Sequence, residues 1–432
     1  MNRYKEMYKQ KLTTPEEAVK LVQDGWRVTW PVAVGQPPVL INALAKRKDE
    51  FTHLEVLTVV DVYPTELLNL TKDDPIKPDY CYCIISRRGV QEGRFTYTPA
   101  RLSQIPRYID MGRPYQCVMM QVSPMDEFGF FSMGLSCDYA FPVAKKAEKI
   151  IVQVNENMPR TFGRNFWHVS EVDAIVEANT PLTALPVLPP NENEKLIGNY
   201  IAELVEDGST LQLGIGSIPS AVALALENKK DLGVHTEMFP DALKILWEKG
   251  VVTNRKKTYH PDIGIASFAL GSEDLYKWFN NNPSVHFYAV DQVLDPYILA
   301  RNDKMVCINS GIEVDLTGQV NSESISHKQF SHTGGQQDLI MGAFMSKGGK
   351  GIIAMESTVE TKQGRKSKIV PHLTPGSFVS TGRNDVHYVV TEYGIADLKI
   401  WSVRERAKRL INIAHPDFRD ELRFEAEKAG FI

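Results

Sequence analysis

This sequence predicts an α/β fold in two related domains, and three observations lead to it. Strand-like runs alternate with helical runs along its 432 residues, one Pro-rich segment interrupts them, and the stretches on either side of that segment echo each other.

The strand-like runs are "HLEVLTVV", "QCVMMQVS", "KIIVQVN", "STLQLGIG", "CINS", "GIIAM" and "HYVVT". Helical stretches lie among them, such as "PEEAVKLVQDG", "EKLIGNYIAELVEDG" and "PSAVALALENKKD". Such alternation predicts parallel sheets covered by helices. The interruption is "NTPLTALPVLPPNENEK", from Asn179 to Lys195, whose four prolines and polar tail mark a domain boundary. The expected domains are therefore residues 1–185 and 186–432.

The third observation is the echo. "EEAVKLVQDGWRVTW…GQPPVLINALAKRKDEFTHLE" and "GNYIAELVEDGSTLQLGIGSIPSAVALALENKKDLGVHTE" share one order of features. Each reads helix, Asp-Gly turn, strand, Gly/Pro loop, helix, Lys-rich turn, then a strand with His-x-Glu. By this repeat Glu55 matches Glu237 in position, so the repeat alone does not choose between the two acids.

Composition narrows the function. The chain is 43% hydrophobic and 24% charged, with a net charge of -4 and interspersed signs. That balance gives no electrostatic footprint for nucleic acid or an anionic membrane surface. "MNRYKEMYKQKLTTPEEAV" has no apolar core of a signal peptide, and no apolar run approaches the roughly 20 residues of a membrane span. Five scattered cysteines, Cys81, Cys83, Cys117, Cys137 and Cys307, fit a reducing cytoplasm better than a disulfide framework. "CYC" at 81–83 puts two thiols on one strand face but finds no neighbouring ligands to complete a metal site, so buried cysteines are the plainer reading.

Four stretches carry candidate chemistry. In "GVHTEMFPDAL" (233–243) a strand runs into a helix, and Glu237 sits near the join beside His235 and Met238. An acid there could cap the helix, bind a metal, move a proton or attack a substrate. "LQLGIGSIPSAVALALE" (211–227) is a strand, a Gly-rich turn and a helix. Gly214 and Gly216 would let a phosphate approach the backbone, and Pro219 suits a first helical turn. A tight structural turn explains the same residues, and Pro219 in place of a third glycine excludes a dinucleotide fingerprint. "FSHTGGQQDLIMGAF" (330–344) pairs Gly334 with Gly335, whose amides could face an oxyanion; a helix start with Asp338 in its first turn reads equally well. "TEYGIADL" (391–398), with Glu392, Gly394 and Asp397, reads as an exposed helix start, and His415 before Pro416 as a turn histidine.

Together these stretches resemble the acetyl-CoA hydrolase/transferase family, in particular the 4-hydroxybutyrate and butyrate–acetate CoA-transferases. "GSTLQLGIGSIPSAV", "HTEM", "MVCIN", "TGGQQD", "SKIVP", "VVTEYGIADL" and "LINIAHPDF" come in the family's order, with "VSPMDEFGFFSMGLSCDYA" in the first half. The resemblance implies two NagB/RpiA-like CoA-transferase domains with the active site in the cleft between them. It chooses Glu237 as the catalytic residue. It maps coenzyme A contacts to Gly214, Ile215, Gly216, Ser217, Ile218, Ile312 and Gly335, the last with its amide in an oxyanion hole. It implies no prosthetic group and no metal, with coenzyme A as substrate and product, and a cytoplasmic homodimer or larger homo-oligomer.

The implied reaction moves coenzyme A between a short-chain acyl-CoA (butyryl-, 4-hydroxybutyryl- or similar) and a carboxylate such as acetate, through a glutamyl-CoA thioester on Glu237. An unperturbed Glu, with a pKa of about 4.3, would be ionised at neutral pH without a helper base. An acyl-CoA hydrolase would use the same glutamate with water as acceptor, and a catalytically silent CoA-binding protein would bind without forming the adduct. The pattern departs from the family at three places. Leu294-Asp295-Pro296 stands where Asn-x-Pro is expected, His332 lies within the segment before Gly334-Gly335, and Gln36 replaces a Glu. Leu294 cannot donate a hydrogen bond to an oxyanion, and His332 would narrow the acyl pocket or add a polar contact.

Overall fold

The computed structural model describes residues 3–82 and 84–432. The chain divides into two compact units, residues 1–185 with 265–293, and residues 186–264 with 294–432. Residues 265–293 lie inside the stretch expected as a continuous second domain but pack with the first unit. The strand Gly264–Ala269 runs beside residues 135–137, where Cys137 N–H donates to Ser267 O at 2.9 Å and Ala269 N–H to Leu135 O at 2.8 Å. The strand Val285–Phe287 pairs with Phe162–Gly163.

The first unit is built on seven strands: β1 (Arg27–Thr29), β2 (Leu54–Val59), β3 (Ile76–Tyr82), β4 (Thr96–Tyr97), β5 (Cys117–Val122), β6 (Lys149–Val154) and β7 (Ala174–Glu177). Their order is β7-β6-β5-β1-β2-β3-β4, and all pairings are parallel. Helix α1 (Pro38–Lys46) lays Leu40, Ile41 and Leu44 on a core with Val28, Leu54, Val56, Met119 and Ile151. Strands buried on both faces need continuous apolar runs, which is why "CVMMQV" and "KIIVQV" show so little polar alternation.

The second unit carries β8 (Thr210–Leu213), β9 (Gly233–Phe239), β10 (Met305–Ser310), β11 (Lys350–Ala354), β12 (Tyr388–Thr391) and β13 (Gly394–Asp397). Their order is β13-β12-β11-β10-β8-β9. The pairings along β12-β11-β10-β8-β9 are parallel, while β13 turns back antiparallel on β12. The segment 391–398 is therefore a hairpin rather than the expected helix start. Thr391 pairs with Gly394 across a two-residue turn, and Gly394 takes φ +137, where only glycine is at ease.

Helix α2 (Glu192–Leu204) starts in a capping box formed by Asn191 and Glu194. It packs closely on α3 (Ser217–Ala225), where Gly198 lets the backbone of Ala221 approach. Three more elements position the site: α4 (Asp241–Glu248), α5 (Gln336–Met345) and α6 (Val403–Asn412). A core of Val314, Ile340, Ile353, Val389, Ala396 and Leu410 binds α5 and α6 to the sheet.

Cys117, Cys137 and Cys307 are buried and free. Cys83 lies outside the described residues, so the Cys81/Cys83 pair does too. Among the described residues no helix is long and apolar enough to cross a membrane, and no three His, Cys, Asp or Glu residues stand where they could hold a metal ion.

Candidate active site

Register separates the two glutamates that the sequence repeat equates. Arg27, the first residue of β1, pairs with Glu55, whereas Thr210, the first residue of β8, pairs with Gly233. Glu237 lies four residues beyond Gly233, about 13 Å further along its strand. Glu55 thus occupies the amino end of a parallel sheet and Glu237 approaches the carboxyl end, where such sheets hold ligands. Their expected equivalence is overturned. Glu55 has a structural occupation of its own, accepting from Arg27 Nε at 2.7 Å and Arg113 Nη2 at 3.2 Å, with His53 Nε2 at 3.5 Å. Burial opposes its ionisation, but these hydrogen bonds and charges hold its carboxyl below the usual range.

Strand alternation puts His235 and Glu237 on one face of β9 and Thr236 on the other. His235 is fully buried, with Nδ1 3.2 Å from the amide nitrogen of buried Asn302. The Thr236 hydroxyl donates to Met238 O at 2.7 Å and anchors the strand end. Glu237 is half-buried, and its carboxylate lies against the backbone of Gly335. Gly335 caps α5 at its N-terminus, so the helix dipole also favours negative charge here. Asp338, buried in the first turn of α5, acts the other way. Burial and then the Asp338 charge raise the Glu237 carboxyl to about 7, against the opposing pull of the nearby Gly335 backbone amide. The ordinary carboxylate pKa expected from sequence does not hold, because sequence shows neither the burial nor the neighbouring acid.

Gly335 is required by close approach. A Cβ there would fall 2.1 Å from Glu237 Oε2, and 2.9 and 3.1 Å from the methyls of Leu294. Leu294 is fully buried and so forms an apolar wall where a donor was expected. Asp295 is used locally, accepting from Tyr297 N–H at 2.8 Å. His332 is also buried, and its Nδ1 accepts the N–H of Gly334, which takes φ +52. Burial pushes this imidazole down to about 3, so it is neutral.

The 214–218 segment joins β8 to α3. Gly214 has open space where a Cβ would be, Ile215 is exposed, and Gly216 takes φ +108 to cap α3. The Ser217 hydroxyl donates to Glu194, so the capping box of α2 also ties down this loop. Ile218 is half-buried. Ile312 donates its N–H to Asn321 O at 2.8 Å.

The other singled-out residues lie in structural settings. Gln36 is buried, donating to Thr58 Oγ1 at 3.2 Å and accepting from Val62 N–H at 3.3 Å. Glu392 accepts from the N–H and hydroxyl of Ser357 at 2.8 and 2.6 Å. His415 caps the helix Pro416–Lys428. Sequence reading missed Asn302 and Glu194, which lie in no recognisable motif, and it saw Asp338 only as a helix-start acid.

Comparison with known proteins bears on this geometry. The profile of the acetyl-CoA hydrolase/transferase N-terminal domain matches residues 1–188, and that of the C-terminal domain matches residues 271–426. The chain is 46% identical to 4-hydroxybutyrate coenzyme A transferase of Clostridium kluyveri, over 98% of this chain and 99% of the relative. It is 44% identical to succinyl-CoA:cyclohexane-1-carboxylate CoA transferase of Geobacter metallireducens, over 99% and 98%. Among solved structures it resembles RipA of Yersinia pestis, with a TM-score of 0.92 at 39% identity, covering 99% of this chain and 100% of that one.

Proposed function

The chain belongs to the acetyl-CoA hydrolase/transferase family and is an enzyme of the CoA-transferase type, and on that premise we propose that Glu237 carries coenzyme A between a short-chain acyl-CoA and a small carboxylate such as acetate. The observation that carries this reading is the Glu237 carboxylate lying against Gly335, the N-cap of α5, so closely that a Cβ there would fall 2.1 Å from Oε2. A donor held there by a helix start can follow the charge as it moves through a tetrahedral intermediate.

The ionised Glu237 oxygen attacks the acyl-CoA carbonyl, the C–S bond breaks, and an acyl-glutamyl anhydride forms with free CoA thiolate. The thiolate attacks the glutamyl carbonyl, expels the first carboxylate and leaves a glutamyl-CoA thioester. The acceptor carboxylate then displaces the thiolate to give a second anhydride. Attack of the thiolate on the acceptor's acyl carbon releases the new acyl-CoA and regenerates Glu237. No thioester is lost to water, and each hard step is divided in two.

The raised carboxyl suits the task. A more basic carboxylate is a better nucleophile, at the cost of being partly protonated at neutral pH. The open 214–218 turn at the start of α3 is the part of the site we assign to the anionic end of coenzyme A, and Ile312 is assigned as a further contact of that ligand. Distant contacts of that kind supply binding energy used at the thioester. Butyryl and 4-hydroxybutyryl groups are the acyl groups we favour, in a cytoplasmic homodimer or larger homo-oligomer.

Initial-rate kinetics with varied butyryl-CoA and acetate test the reading. Parallel double-reciprocal lines and CoA transfer that depends on acetate are expected. CoA release at the same rate without acetate would mean a hydrolase, and binding without turnover a silent CoA-binding protein.

A further inference from the structure

We infer that His332 is a positioning residue of this site, its imidazole holding the 332–335 turn so that the Gly335 backbone stays against Glu237. The inference rests on the reading of Glu237 as nucleophile and adds a residue to the machinery around it.

The geometry is a side-chain turn. His332 Nδ1 accepts the N–H two residues ahead, at Gly334, as the side-chain oxygen of Asn or Asp does in an Asx-turn. Between His332 and α5 the chain passes through Gly334 at φ +52 and Gly335 at φ -94, ψ 4. With the Gly334 amide engaged by the ring, the chain carries the next residue, Gly335, against the Glu237 carboxylate. The turn is held at both ends. Ser331 N–H donates to Glu323 O at 2.9 Å, and Gln329 Nε2 to Ser331 O at 3.0 Å. On the helix side Gln336 Nε2 reaches Thr381 Oγ1 at 3.0 Å and Gln337 Nε2 reaches Asp385 Oδ2 at 2.7 Å.

A ring in this position must keep its Nδ1 lone pair. A neutral imidazole accepts through one nitrogen only if the other carries the proton, and burial keeps His332 neutral throughout the working range. His332 thus adds no charge beside the reacting carboxylate and takes no proton during turnover. It is a rigid acceptor where a general acid or base would need a pKa near neutrality.

Two variants separate this role from mere packing. His332→Leu fills a similar volume and accepts nothing, whereas His332→Asn offers an oxygen to the same Gly334 N–H. For His332→Leu, kcat is expected to fall roughly 100-fold, the loss that follows about 1 Å of misplacement at a reacting group, with KM for acyl-CoA little changed. The acid limb of the pH profile should also move to higher pH, because the lost pull of the Gly335 backbone amide favours the ionised carboxylate. His332→Asn should recover most of kcat and return the limb to its place. A folded His332→Leu with wild-type kcat and pH limb overturns the inference, as does a His332→Asn as impaired as the leucine variant. Should the leucine variant fail to fold, the asparagine variant decides alone, and a folded form about 100-fold impaired overturns the role. A wild-type enzyme that forms no glutamyl-CoA refutes the reading of Glu237 itself, an outcome scored separately from either variant.

Discussion

Glu237 and Gly335 stand so close that a Cβ on Gly335 would fall 2.1 Å from Glu237 Oε2. A methyl group cannot occupy that place without displacing either the carboxylate or the Gly335 backbone. Gly335→Ala is therefore expected to lose about 10²–10³ in kcat, the range for one oxyanion donor. Its thermal unfolding should fall modestly as well, because the same methyl also meets the methyls of fully buried Leu294 at 2.9 and 3.1 Å. Steady-state kinetics beside a thermal melt check both halves.

The raised carboxyl of Glu237 links pH to rate and to stability with opposite signs. Activity needs the ionised form, so kcat/KM should rise with pH through about 7. Stability runs the other way. A group whose folded pKa is raised contributes fully below its unfolded value, here 4.5, and loses that contribution as pH rises through about 7. Glu237→Gln removes the cost of burying the charge. It should be more stable than wild type at pH 8, by about 1–3 kcal/mol, with the difference vanishing near pH 4.5. Urea unfolding of both proteins at the two pH values reads this directly.

Glu55 gives the contrast. Its carboxylate is about one-third exposed and held by Arg27 and Arg113. Glu55→Gln is expected to keep kcat within about twofold and to cost about 1 kcal/mol or less, since exposed ion pairs are screened by water and salt. A large loss of activity would show that the register argument is misplaced.

Leu294 predicts a gain rather than a loss. Its methyls face the same point beside Gly335 as the Glu237 carboxylate does. Leu294→Asn would bring an amide donor there, favouring the ionised acid and moving the acid limb below pH 7. Turnover should not fall, and the buried amide should cost about 1–3 kcal/mol of stability where its hydrogen bonds stay unmet. A pH–rate profile with a denaturation curve tests both.

Much of this was legible in the sequence. The apolar runs "CVMMQV", "KIIVQV" and "GIIA" became β5, β6 and most of β11, because runs without alternation serve strands buried on both faces. The repeat was real as a pattern but misleading as a register. His-x-Glu falls at the start of β2 and near the end of β9, and spacing in sequence does not show where a strand begins pairing. "TEYG" reads like a helix start because its Glu and Gly suit one, and only pairing with β12 makes it a hairpin. At the site, the motif pointed to Glu237 and Gly335. It could not show the burial and the Asp338 charge that raise the carboxyl, nor the ring of His332 bonded to Gly334, because these depend on neighbours about 100 residues away or on local rotamers.

The most direct test of the central claim is mass spectrometry of the protein incubated with butyryl-CoA and no acceptor. The account predicts a CoA-sized adduct on the peptide that contains Glu237, absent in Glu237→Gln and discharged by acetate as acetyl-CoA. No adduct at Glu237 from a protein that turns over acyl-CoA and acetate would contradict it.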